Sequence, residues 1–408
     1  MSKFSLPTQI KIIDVFTNHI QQGLLTQRGH YNYQPIQEKW HVSLTMTKPN
    51  MQGYFLGALH PIFSQNLPEG HNRHYISEKL ARYAKVNDMY LLALQSNNGI
   101  GMLHYQSELQ LPEVDALSLN DILKYNSDAP LFPQLLEKYY LRNALSGMQP
   151  KVSISQVYSE TGPTMHQNDL IVKSYDIDFD LLTVNEFVCM EAARYCGLQP
   201  PKTYLSDNLE TYVIERFDKN QVGEKLGYED FTTLLKKSND PNAKYTGSYE
   251  TLLKATYLYT RSETEVLKMY KYIVFNCLIG NGDAHLKNFA LQYTLDMTQP
   301  FVSPPFDITH TLIYDNLDQL LALKMNNSKK FPVKQQLLKL AESDLFRIRN
   351  AKEIIDFLSD NISDYLKISN EIQLFNGLRT SIEKSISNTM TTHTTIPIYR
   401  HDKKRKFE

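Results

Sequence analysis

The sequence of 408 residues predicts an α+β fold in which a β-rich N-terminal unit precedes two lobes, the second of them mostly helical. Short runs of alternating apolar and polar residues over about the first sixty positions indicate strands of a half-buried sheet. Two hairpin patterns follow between residues 151 and 215, and apolar residues recur at helical spacing after residue 262. We therefore expect an N-terminal unit at 1–110, a first lobe at 111–220, a second lobe at 221–392 and a basic tail at 393–408.

The composition is that of an ordinary soluble globular protein, with 42% hydrophobic and 21% charged residues. A net charge of -1 provides no overall field that would draw the chain to nucleic acid or to a membrane. No signal-peptide pattern and no run of about eighteen apolar residues occurs, so we expect a cytoplasmic protein without a membrane partner. The three cysteines lie in apolar helical contexts and are predicted to be reduced core residues, and no CxxC or His/Cys cluster suggests zinc: Cys189, Cys196 and Cys277.

The N-terminal unit is predicted to contain short strands at 10–16 and 41–46, separated by turn-forming Gly, Asn and Pro. The stretch QNLPEG at 65–70 leads into a helical pattern over 75–84. These patterns predict a small sheet followed by a helix.

Two glycines, Gly99 and Gly101, lie at the end of this unit in NNGIG. A nucleotide-binding loop would need a third glycine at GxGxxG spacing, so a tight turn into a strand is the favoured interpretation. The next segment, 116–142, carries leucines at helical spacing and is predicted to be helical.

The first candidate site residues lie in and after the segment SGMQPK at 146–151. This segment enters a predicted strand at 151–158, and a second strand at 170–175 carries Lys173. Phosphotransferases cover the triphosphate of ATP with such a hairpin and grip its phosphates with a lysine on the next strand. Each feature also has an ordinary structural explanation, because SGMQPK lacks both glycine-rich spacings and strand lysines usually face solvent.

Glu186 lies near the start of a helix predicted over 183–196, and the sequence gives it two possible roles. Thr183 and Glu186 have the spacing of a capping box. Glu186 also follows Lys173 by thirteen residues, which suits the Lys–Glu ion pair of a kinase. One carboxylate does not serve both roles fully, so both interpretations stay open.

A second hairpin, predicted at 202–205 and 211–215, runs directly into the sequence Glu215, Arg216, Phe217 and Asp218. A strand that ends at a linker between lobes offers backbone amide and carbonyl groups to an adenine ring. A charged strand end held by a surface ion pair is the alternative.

The segment LIGNGDAHLKNFAL at 278–291 carries the largest set of candidate catalytic residues. A buried helix, predicted to start with a capping box of Ser262 and Glu265 and to end at Gly280, leads into it. Asp283 and Asn288 are five residues apart, as in the HRDxxxxN loop of protein kinases, and Asp307 follows where a DFG aspartate would. Gly-Asn-Gly-Asp is also a good turn sequence. Further helices are predicted over 333–390, before the basic tail.

Taken together, the order of these segments is that of a phosphotransferase, and at this point the chain resembles a known family. SGMQPK, NEFVCMEAARYCGL, VIERFDK, LIGNGDAHLKNFAL and PPFDIT are similar to segments of the HipA family of bacterial toxin serine/threonine kinases, a resemblance that covers about residues 1–390. The resemblance implies a two-lobed protein-kinase-like fold, ATP and Mg²⁺ as cofactors, and phosphorylation of a protein, in the best-known cases an aminoacyl-tRNA synthetase such as the glutamyl enzyme. It also implies a helix-turn-helix antitoxin of HipB type, through which operator DNA is bound.

The resemblance also implies roles for individual residues. Asp283 would be the catalytic base, and Lys173 would contact the phosphates. Asn288 and Asp307 would hold Mg²⁺, and His285 and Lys287 would face nucleotide or metal. The adenine site and the phosphate loop would be formed by two short segments: Glu215, Arg216 and Phe217, and Ser146, Gly147, Met148, Gln149, Pro150 and Lys151.

One departure from the family concerns self-phosphorylation. Ala144 lies near the position where some members carry a phosphorylated serine, so Ser146, Ser153 or Ser155 would have to substitute. Two other functions stay open. Small-molecule phosphotransferases of the aminoglycoside-kinase kind share the Asp–Asn spacing, but they often have His where this chain has Asn281. A pseudokinase that acts as a DNA-bound co-regulator is the other, although no required residue is missing.

Overall fold

The computed structural model describes residues 6–36, 42–46, 54–111, 117–142, 151–154, 169–237 and 240–391. Within these residues the chain forms three antiparallel sheets and three clusters of buried apolar side chains. Among the helices described, none has the length and apolar character needed to cross a membrane.

The N-terminal unit contains a five-stranded sheet of order β4-β3-β2-β1-β5 and three helices. Its strands and helices are β1 Ile12–Thr17, β2 Ile20–Gln27, β3 Tyr31–Pro35, β4 Tyr54–Gly57, β5 Leu103–Gln106, α1 Pro61–Ser64, α2 Gly70–Leu80 and α3 Asp88–Gln95. Alternate strand residues such as Ile13 and Val15 are buried together with apolar residues of the helices. The predicted strand at 10–16 is thus confirmed, and the helix predicted over 75–84 begins earlier, at Gly70.

Two further predictions for this unit have opposite outcomes. Gly101 adopts a left-handed conformation (φ +89°) just before β5, which confirms the tight turn into a strand. The strand predicted at 41–46 is wrong for its described part, because 42–46 form a turn. The physical reason is that the Ser43 hydroxyl and the Leu44 amide donate to Glu229 of the second lobe, at 2.8 and 2.6 Å, and not to a neighbouring strand.

The first lobe contains a four-stranded sheet of order β6-β7-β9-β8. Its elements are α4 Leu119–Leu123, α5 Leu131–Tyr139, β6 Lys151–Ile154, β7 Leu170–Ser174, α6 Leu182–Tyr195, β8 Thr203–Leu205 and β9 Thr211–Glu215. The single helix expected over 116–142 is divided, because Lys124 ends α4 and Pro130 precedes α5. The predicted hairpin of β8 and β9 is confirmed, with Tyr204 opposite Val213.

Both faces of this sheet are buried, and the alternation of side chains fixes which residues face the second lobe. Val152 and Val172 point toward α5, whereas Ile171 packs with the core that contains α6 and the second lobe. Lys151 and Lys173 are directly opposite each other in the β6–β7 ladder. They therefore share the face that looks toward the second lobe.

The second lobe is built around α9, which is buried along most of its length. It contains β10 Gly227–Asp230, α7 Phe231–Leu234, α8 Tyr249–Thr260, α9 Glu263–Ile279, β11 Ala290–Tyr293, β12 Phe301–Val302, α10 Lys334–Leu340, α11 Ala351–Ile368 and α12 Leu378–Met390. The Ser262 hydroxyl caps α9, whereas the Glu265 side chain accepts from the Val302 amide at 2.7 Å, so half of the predicted capping box forms. Gly280 ends the helix with φ +79°, as predicted. The three cysteines are buried free thiols, as expected.

Buried polar contacts join the N-terminal unit to the lobes. Arg216 forms a buried ion pair with Asp218 and donates to the carbonyls of Asn98 and Gly99, each at 2.8 Å. Asp218 also accepts the Gly101 amide at 2.7 Å. The turn that contains the two glycines is therefore bound to the end of β9, which places the N-terminal unit beside the space between the lobes.

Candidate active site

A cleft of about 860 Å³ lies where the three units meet, within the range of small-molecule sites. Its wall includes side chains from segments far apart in sequence. The charged residues among them are Lys151, Lys173, Lys244, Lys287, Asp176, Asp178, Asp230, Asp283, Asp307, Asp318 and Lys329. Eight predicted site residues line this one cleft: Lys151, Lys173, Phe217, Asp283, His285, Lys287, Asn288 and Asp307.

Lys173 is held between two carboxylates. Its ammonium nitrogen lies 2.5 Å from Glu186 Oε1 and 2.5 Å from Asp307 Oδ1. Burial lowers the pKa of Lys173, but the two carboxylates outweigh burial and raise it above its usual range. Burial also raises the pKa of Glu186 to about 7, against the opposing effect of the Lys173 ammonium. Lys173 therefore stays protonated at neutral pH.

The alternative role of Glu186, as part of a capping box, is wrong. The helix α6 begins after Leu181, whose left-handed backbone (φ 48°) forms the N-cap. The Thr183 hydroxyl donates to the Leu209 carbonyl at 2.5 Å and is thus engaged elsewhere. Glu186 is free to point at Lys173 from the buried face of the helix.

Asp307 presents its carboxylate to the cleft from a left-handed backbone conformation (φ 58°). The Tyr272 hydroxyl donates to the Phe306 carbonyl at 2.7 Å and so holds the preceding residue. Burial raises the pKa of Asp307, but the ammonium groups of Lys173 and Lys151 outweigh it and hold the pKa below its usual range. The carboxylate of Asp307 is therefore ionised at neutral pH.

Asp283 lies in the loop after α9, where its own backbone is fixed. Its amide donates to Asn281 Oδ1 at 3.0 Å, and Asn288 Nδ2 donates to its carbonyl at 2.9 Å. Its carboxylate accepts from the Tyr245 hydroxyl at 3.2 Å. Although Asp283 is exposed to solvent, desolvation of its carboxylate by the walls of the cleft, helped by the negative charge of Asp307, raises its pKa to about 6. A carboxylate with such a pKa is well suited to accept a proton near neutral pH.

The remaining predicted loop residues differ in their surroundings. His285 is buried, and within the described part of the chain its Nδ1 has no hydrogen-bond partner. Burial lowers the pKa of His285 to about 3, helped by Lys244, so the imidazole is neutral. The unpaired, buried Nδ1 of His285 is consistent with a ligand that supplies its partner. Lys287, in contrast, contacts the carboxylate of Glu69, a residue of the N-terminal unit.

Of the three residues expected at the adenine site, Phe217 lines the cleft, where its ring stacks on Phe306 with centroids 5.2 Å apart. The side chains of Glu215 and Arg216 point elsewhere, so these two residues could meet adenine only through their backbone groups, and their place at the adenine site stays a prediction. Glu215 accepts from the Tyr204 hydroxyl at 2.6 Å, and Arg216 is committed to its pair with Asp218. That pair is buried, so the alternative of a surface ion pair is wrong.

The predicted phosphate loop lies mostly outside the described residues. Ser146, Gly147, Met148, Gln149 and Pro150 fall there, as do Ala144 and Ser155. Lys151 is described, and it is buried in the cleft wall opposite Lys173. Ser153, one of the candidate phosphorylation sites, is buried with its hydroxyl 3.5 Å from the Arg216 guanidinium. A phosphate on Ser153 would therefore require β6 to move.

The residues expected to hold Mg²⁺ fit an ion that arrives with phosphates. Asp307 and Asn288 both line the cleft and offer carboxylate and amide oxygens, which Mg²⁺ prefers. Across the described ranges, no cluster of three or more His, Cys, Asp or Glu side chains is arranged to hold a metal. Mg²⁺ would thus take its remaining ligands from water and from nucleotide phosphates, as it does in kinases.

Among the residues that the sequence analysis missed are Lys244 and Tyr245, which line the cleft, and Glu69, which contacts the lining residues Lys244 and Lys287. The QNLPEG stretch that contains Glu69 was recognised only as the entry to a helix. Lys244 and Tyr245 lie in a short 3-10 helix, Pro241–Tyr245, whose sequence carries no catalytic signal. Their role follows only from the tertiary structure.

Comparison with known proteins gives matches over both the N-terminal unit and the lobes. The model of the HipA-like C-terminal domain matches residues 143–365, and that of the HipA N-terminal domain matches residues 13–106. A putative kinase of Sinorhizobium fredii, Y4mE, is 27% identical over 288 residues, which are 65% of this chain and 67% of that protein. The serine/threonine-protein kinase toxin HipA of Shewanella oneidensis is 20% identical over 287 residues, 64% of this chain and 65% of that protein.

A solved structure extends the comparison to the fold. HipA of Shewanella oneidensis, determined with HipB and operator DNA, superposes with a TM-score of 0.67 and 17% identity. The match covers 93% of this chain and 96% of that one. The predicted two-lobed α+β fold is thereby confirmed.

Proposed function

The chain belongs to the HipA family, and from this premise we propose that it is an ATP-dependent protein kinase that phosphorylates serine or threonine. The observation that carries the proposal is the convergence on one cleft of Lys173, Asp307 and Asp283. Phosphoryl transfer requires a cation at the phosphates, a carboxylate for the metal and a carboxylate for the attacking hydroxyl. These three residues supply them.

Each residue has a defined task in the proposed reaction. Lys173 contacts the α- and β-phosphates and is itself aligned by Glu186. Asp307 and Asn288 would hold Mg²⁺, which would offset negative charge on the phosphates. Asp283 orients the substrate hydroxyl and accepts its proton, the hydroxyl oxygen forms a bond to the γ-phosphorus, and the bond to ADP breaks. Phe217 contacts the adenine ring, with backbone groups of residues 215–217 as its hydrogen-bonding partners.

The proposed substrate is an aminoacyl-tRNA synthetase such as the glutamyl enzyme, whose phosphorylation in the cytoplasm would inhibit translation. The proposed partner is a small helix-turn-helix protein of HipB type, which would restrain the kinase and bind operator DNA. Family membership supports both proposals, and the fold match to a HipA in complex with HipB and operator DNA supports the second. Co-purification of such a protein, with a mobility shift of operator DNA, tests the partnership.

The kinase activity is tested by transfer of labelled phosphate from ATP, with Mg²⁺, to purified glutamyl-tRNA synthetase, to lysate proteins and to the chain itself. Asp283→Asn should lower the transfer rate by about 10²–10⁴-fold, because an amide does not accept the proton. Asp344→Asn, at an exposed position, is the matched control and should behave as wild type. Equal transfer by Asp283→Asn would exclude Asp283 as the base.

The same assay separates the other two functions. Phosphorylation of aminoglycosides without any protein labelling would indicate a small-molecule phosphotransferase. Absence of any ATP-induced rise in Tm, together with absence of transfer, would indicate a non-catalytic regulator, since a ligand at about 100 times its Kd should stabilise the fold by about 2.7 kcal/mol.

A further inference from the structure

Glu69 of the N-terminal unit reaches the loop that carries Asp283. The segment before it is fixed to the second lobe by Gln65, whose Nε2 donates to the Tyr228 carbonyl at 2.8 Å. The Gln65 Oε1 accepts from the Asp230 amide at 3.1 Å. Gln65 thus satisfies two backbone groups at β10 and holds the QNLPEG segment against the cleft.

The Glu69 carboxylate lies between two lysines of the second lobe. Its Oε1 contacts the Lys287 ammonium, and its Oε2 lies 3.7 Å from the Lys244 ammonium. The side chain of Lys244 is only 7% exposed and that of Lys287 only 16%. Burial raises the pKa of Glu69, but Lys287 and Lys244 outweigh it and lower the pKa, so the carboxylate is ionised at neutral pH.

The arrangement has a clear electrostatic consequence. Two ammonium groups that share one carboxylate repel each other if it is neutralised, and a buried charge without a partner is costly. Lys287 lies four residues after Asp283 and next to Asn288, in the loop that would face the γ-phosphate. The carboxylate in direct contact with its ammonium therefore comes from neither lobe.

We propose that Glu69 is a positioning residue of the kinase site, which holds Lys287 at the phosphoryl-transfer end of the cleft, with Lys244 as the second cation beside its carboxylate. The N-terminal unit thus completes the active site. This inference rests on the proposed kinase function. Glu69 does not need to touch ATP or substrate, because it acts through Lys287.

The test compares Glu69→Gln, which removes the charge at constant shape, with Glu78→Gln, whose side chain is exposed in the last turn of α2. Glu69→Gln should lower kcat by about 10- to 100-fold, since small displacements of a positioned group have effects of that size. The KM for MgATP should stay equal or fall, because the cleft wall becomes more positive. Glu78→Gln should match wild type in both constants.

A double-mutant cycle shows whether Glu69 acts through Lys287. The variant Glu69→Gln with Lys287→Met should be no slower than Lys287→Met alone, because the residue that Glu69 positions is already lost. Additive losses, or wild-type kcat in Glu69→Gln, would overturn the proposal. If the Tm of Glu69→Gln falls far below that of wild type, Glu69→Asp is used in its place. Because Glu69→Asp keeps the charge but has a shorter side chain, its kcat should lie between those of wild type and Glu69→Gln. A wild-type kcat in Glu69→Asp would count against the proposal.

The outcomes for the two levels of inference are distinct. If wild type and Glu78→Gln transfer phosphate at the same rate as Glu69→Gln, the kinase function stands and the role of Glu69 is refuted. If neither wild type nor Glu78→Gln transfers phosphate to any protein, the kinase function is refuted and the role of Glu69 with it.

Discussion

The Lys173 ammonium lies 2.5 Å from the Asp307 carboxylate, although the two residues are separated by 134 positions in sequence. The same ammonium contacts Glu186, so one cation compensates two acidic groups from α6 and from the second lobe. Because the three groups come from different elements, their contact fixes the sheet of the first lobe relative to the loop that carries Asp307.

Lys173→Met should therefore reduce stability as well as activity. Removing one partner of a buried pair costs about 3–5 kcal/mol, because Glu186 and Asp307 are left facing each other. Lys367→Met is the control, because its pair with Asp364 is exposed and such pairs contribute about 0–1 kcal/mol. Thermal unfolding should show a large fall in Tm for Lys173→Met and almost none for Lys367→Met. Similar Tm values for the two would contradict a central role of this ion pair.

The stability loss of Lys173→Met should also depend on pH. Burial raises the pKa of Glu186 to about 7 even with the lysine present, and without it the pKa should rise further. A carboxyl whose pKa is higher in the folded protein than in the unfolded chain binds its proton more tightly when folded. The stabilisation that this proton provides is complete at pH values below the pKa of the unfolded chain and is lost as the pH rises. The Tm difference from wild type should thus be larger at pH 8 than at pH 5. A difference that shrinks toward pH 8 would count against a buried Glu186 as its cause.

The pH dependence of kcat/KM should show the ionisation of Asp283. Desolvation by the walls of the cleft raises its pKa to about 6, and a base must be deprotonated to act, so activity should fall by about tenfold per pH unit below that value. Tyr245→Phe removes a hydroxyl that donates to the carboxylate and favours its charged form. The acidic limb of this variant should shift to higher pH, whereas Tyr83→Phe, at an exposed position, should leave it unchanged. An acidic limb that stays in place in Tyr245→Phe would show that this hydrogen bond does not affect the reacting state.

The sequence predicted the parts of the site that depend on local pattern. The strand that carries Lys173, the helix that ends at Gly280 and the spacing of Asp283 and Asn288 all follow from short-range periodicity or turn chemistry. The order of these parts, together with the family resemblance, predicted the fold. The domain boundaries at 110, 220 and 392 and the roles of the individual residues stay predictions.

What the sequence did not predict depends on contacts between distant segments. Glu69 and Lys287 are 218 positions apart, and nothing in either local sequence identifies the other. Alternating apolar and polar residues at 41–46 predict a strand, but residues 42–46 form a turn. The local sequence does not show that Glu229, far away along the chain, accepts two hydrogen bonds from this segment. The same limitation applies to the side chain of Arg216, whose partners its local sequence does not indicate. Its guanidinium satisfies carbonyls of a turn 117 and 118 residues earlier.

Gly282 should be essential for the shape of the catalytic loop. A Cβ at this position would lie 2.6 Å from the Leu320 carbonyl oxygen, so the loop or the segment at 320 would have to move. Gly282→Ala should lower kcat by about 10²-fold, because Asp283 is the next residue. Gly377→Ala is the control, since its Cβ meets open space and the cost is only the strained backbone (φ +85°), about 1–2 kcal/mol. Gly377→Ala should lower Tm without changing kcat. An unchanged kcat in Gly282→Ala would show that the contact of its Cβ with the Leu320 carbonyl oxygen does not displace Asp283.

The buried pair of Arg216 and Asp218 should be needed to attach the N-terminal unit. Arg216→Met leaves the Asp218 carboxylate buried with one backbone donor, the Gly101 amide, and the loss of one partner costs about 3–5 kcal/mol. Hydrogen exchange followed by mass spectrometry should then show faster exchange across Leu103–Gln106, the strand that follows this turn.

A second variant identifies the cause of that loss. Replacing both members, Arg216→Met with Asp218→Leu, removes the unpaired carboxylate and should recover part of the protection, because a buried pair exchanged for apolar residues is often neutral in stability. If the double variant exchanges faster than Arg216→Met alone, the hydrogen bond from the Gly101 amide to Asp218 outweighs the cost of an unpaired carboxylate, because both variants lack the bonds to the carbonyls of residues 98 and 99. The hydrogen bond of the turn to Asp218 would then contribute more to the attachment of the N-terminal unit than neutralisation of the Asp218 charge by Arg216.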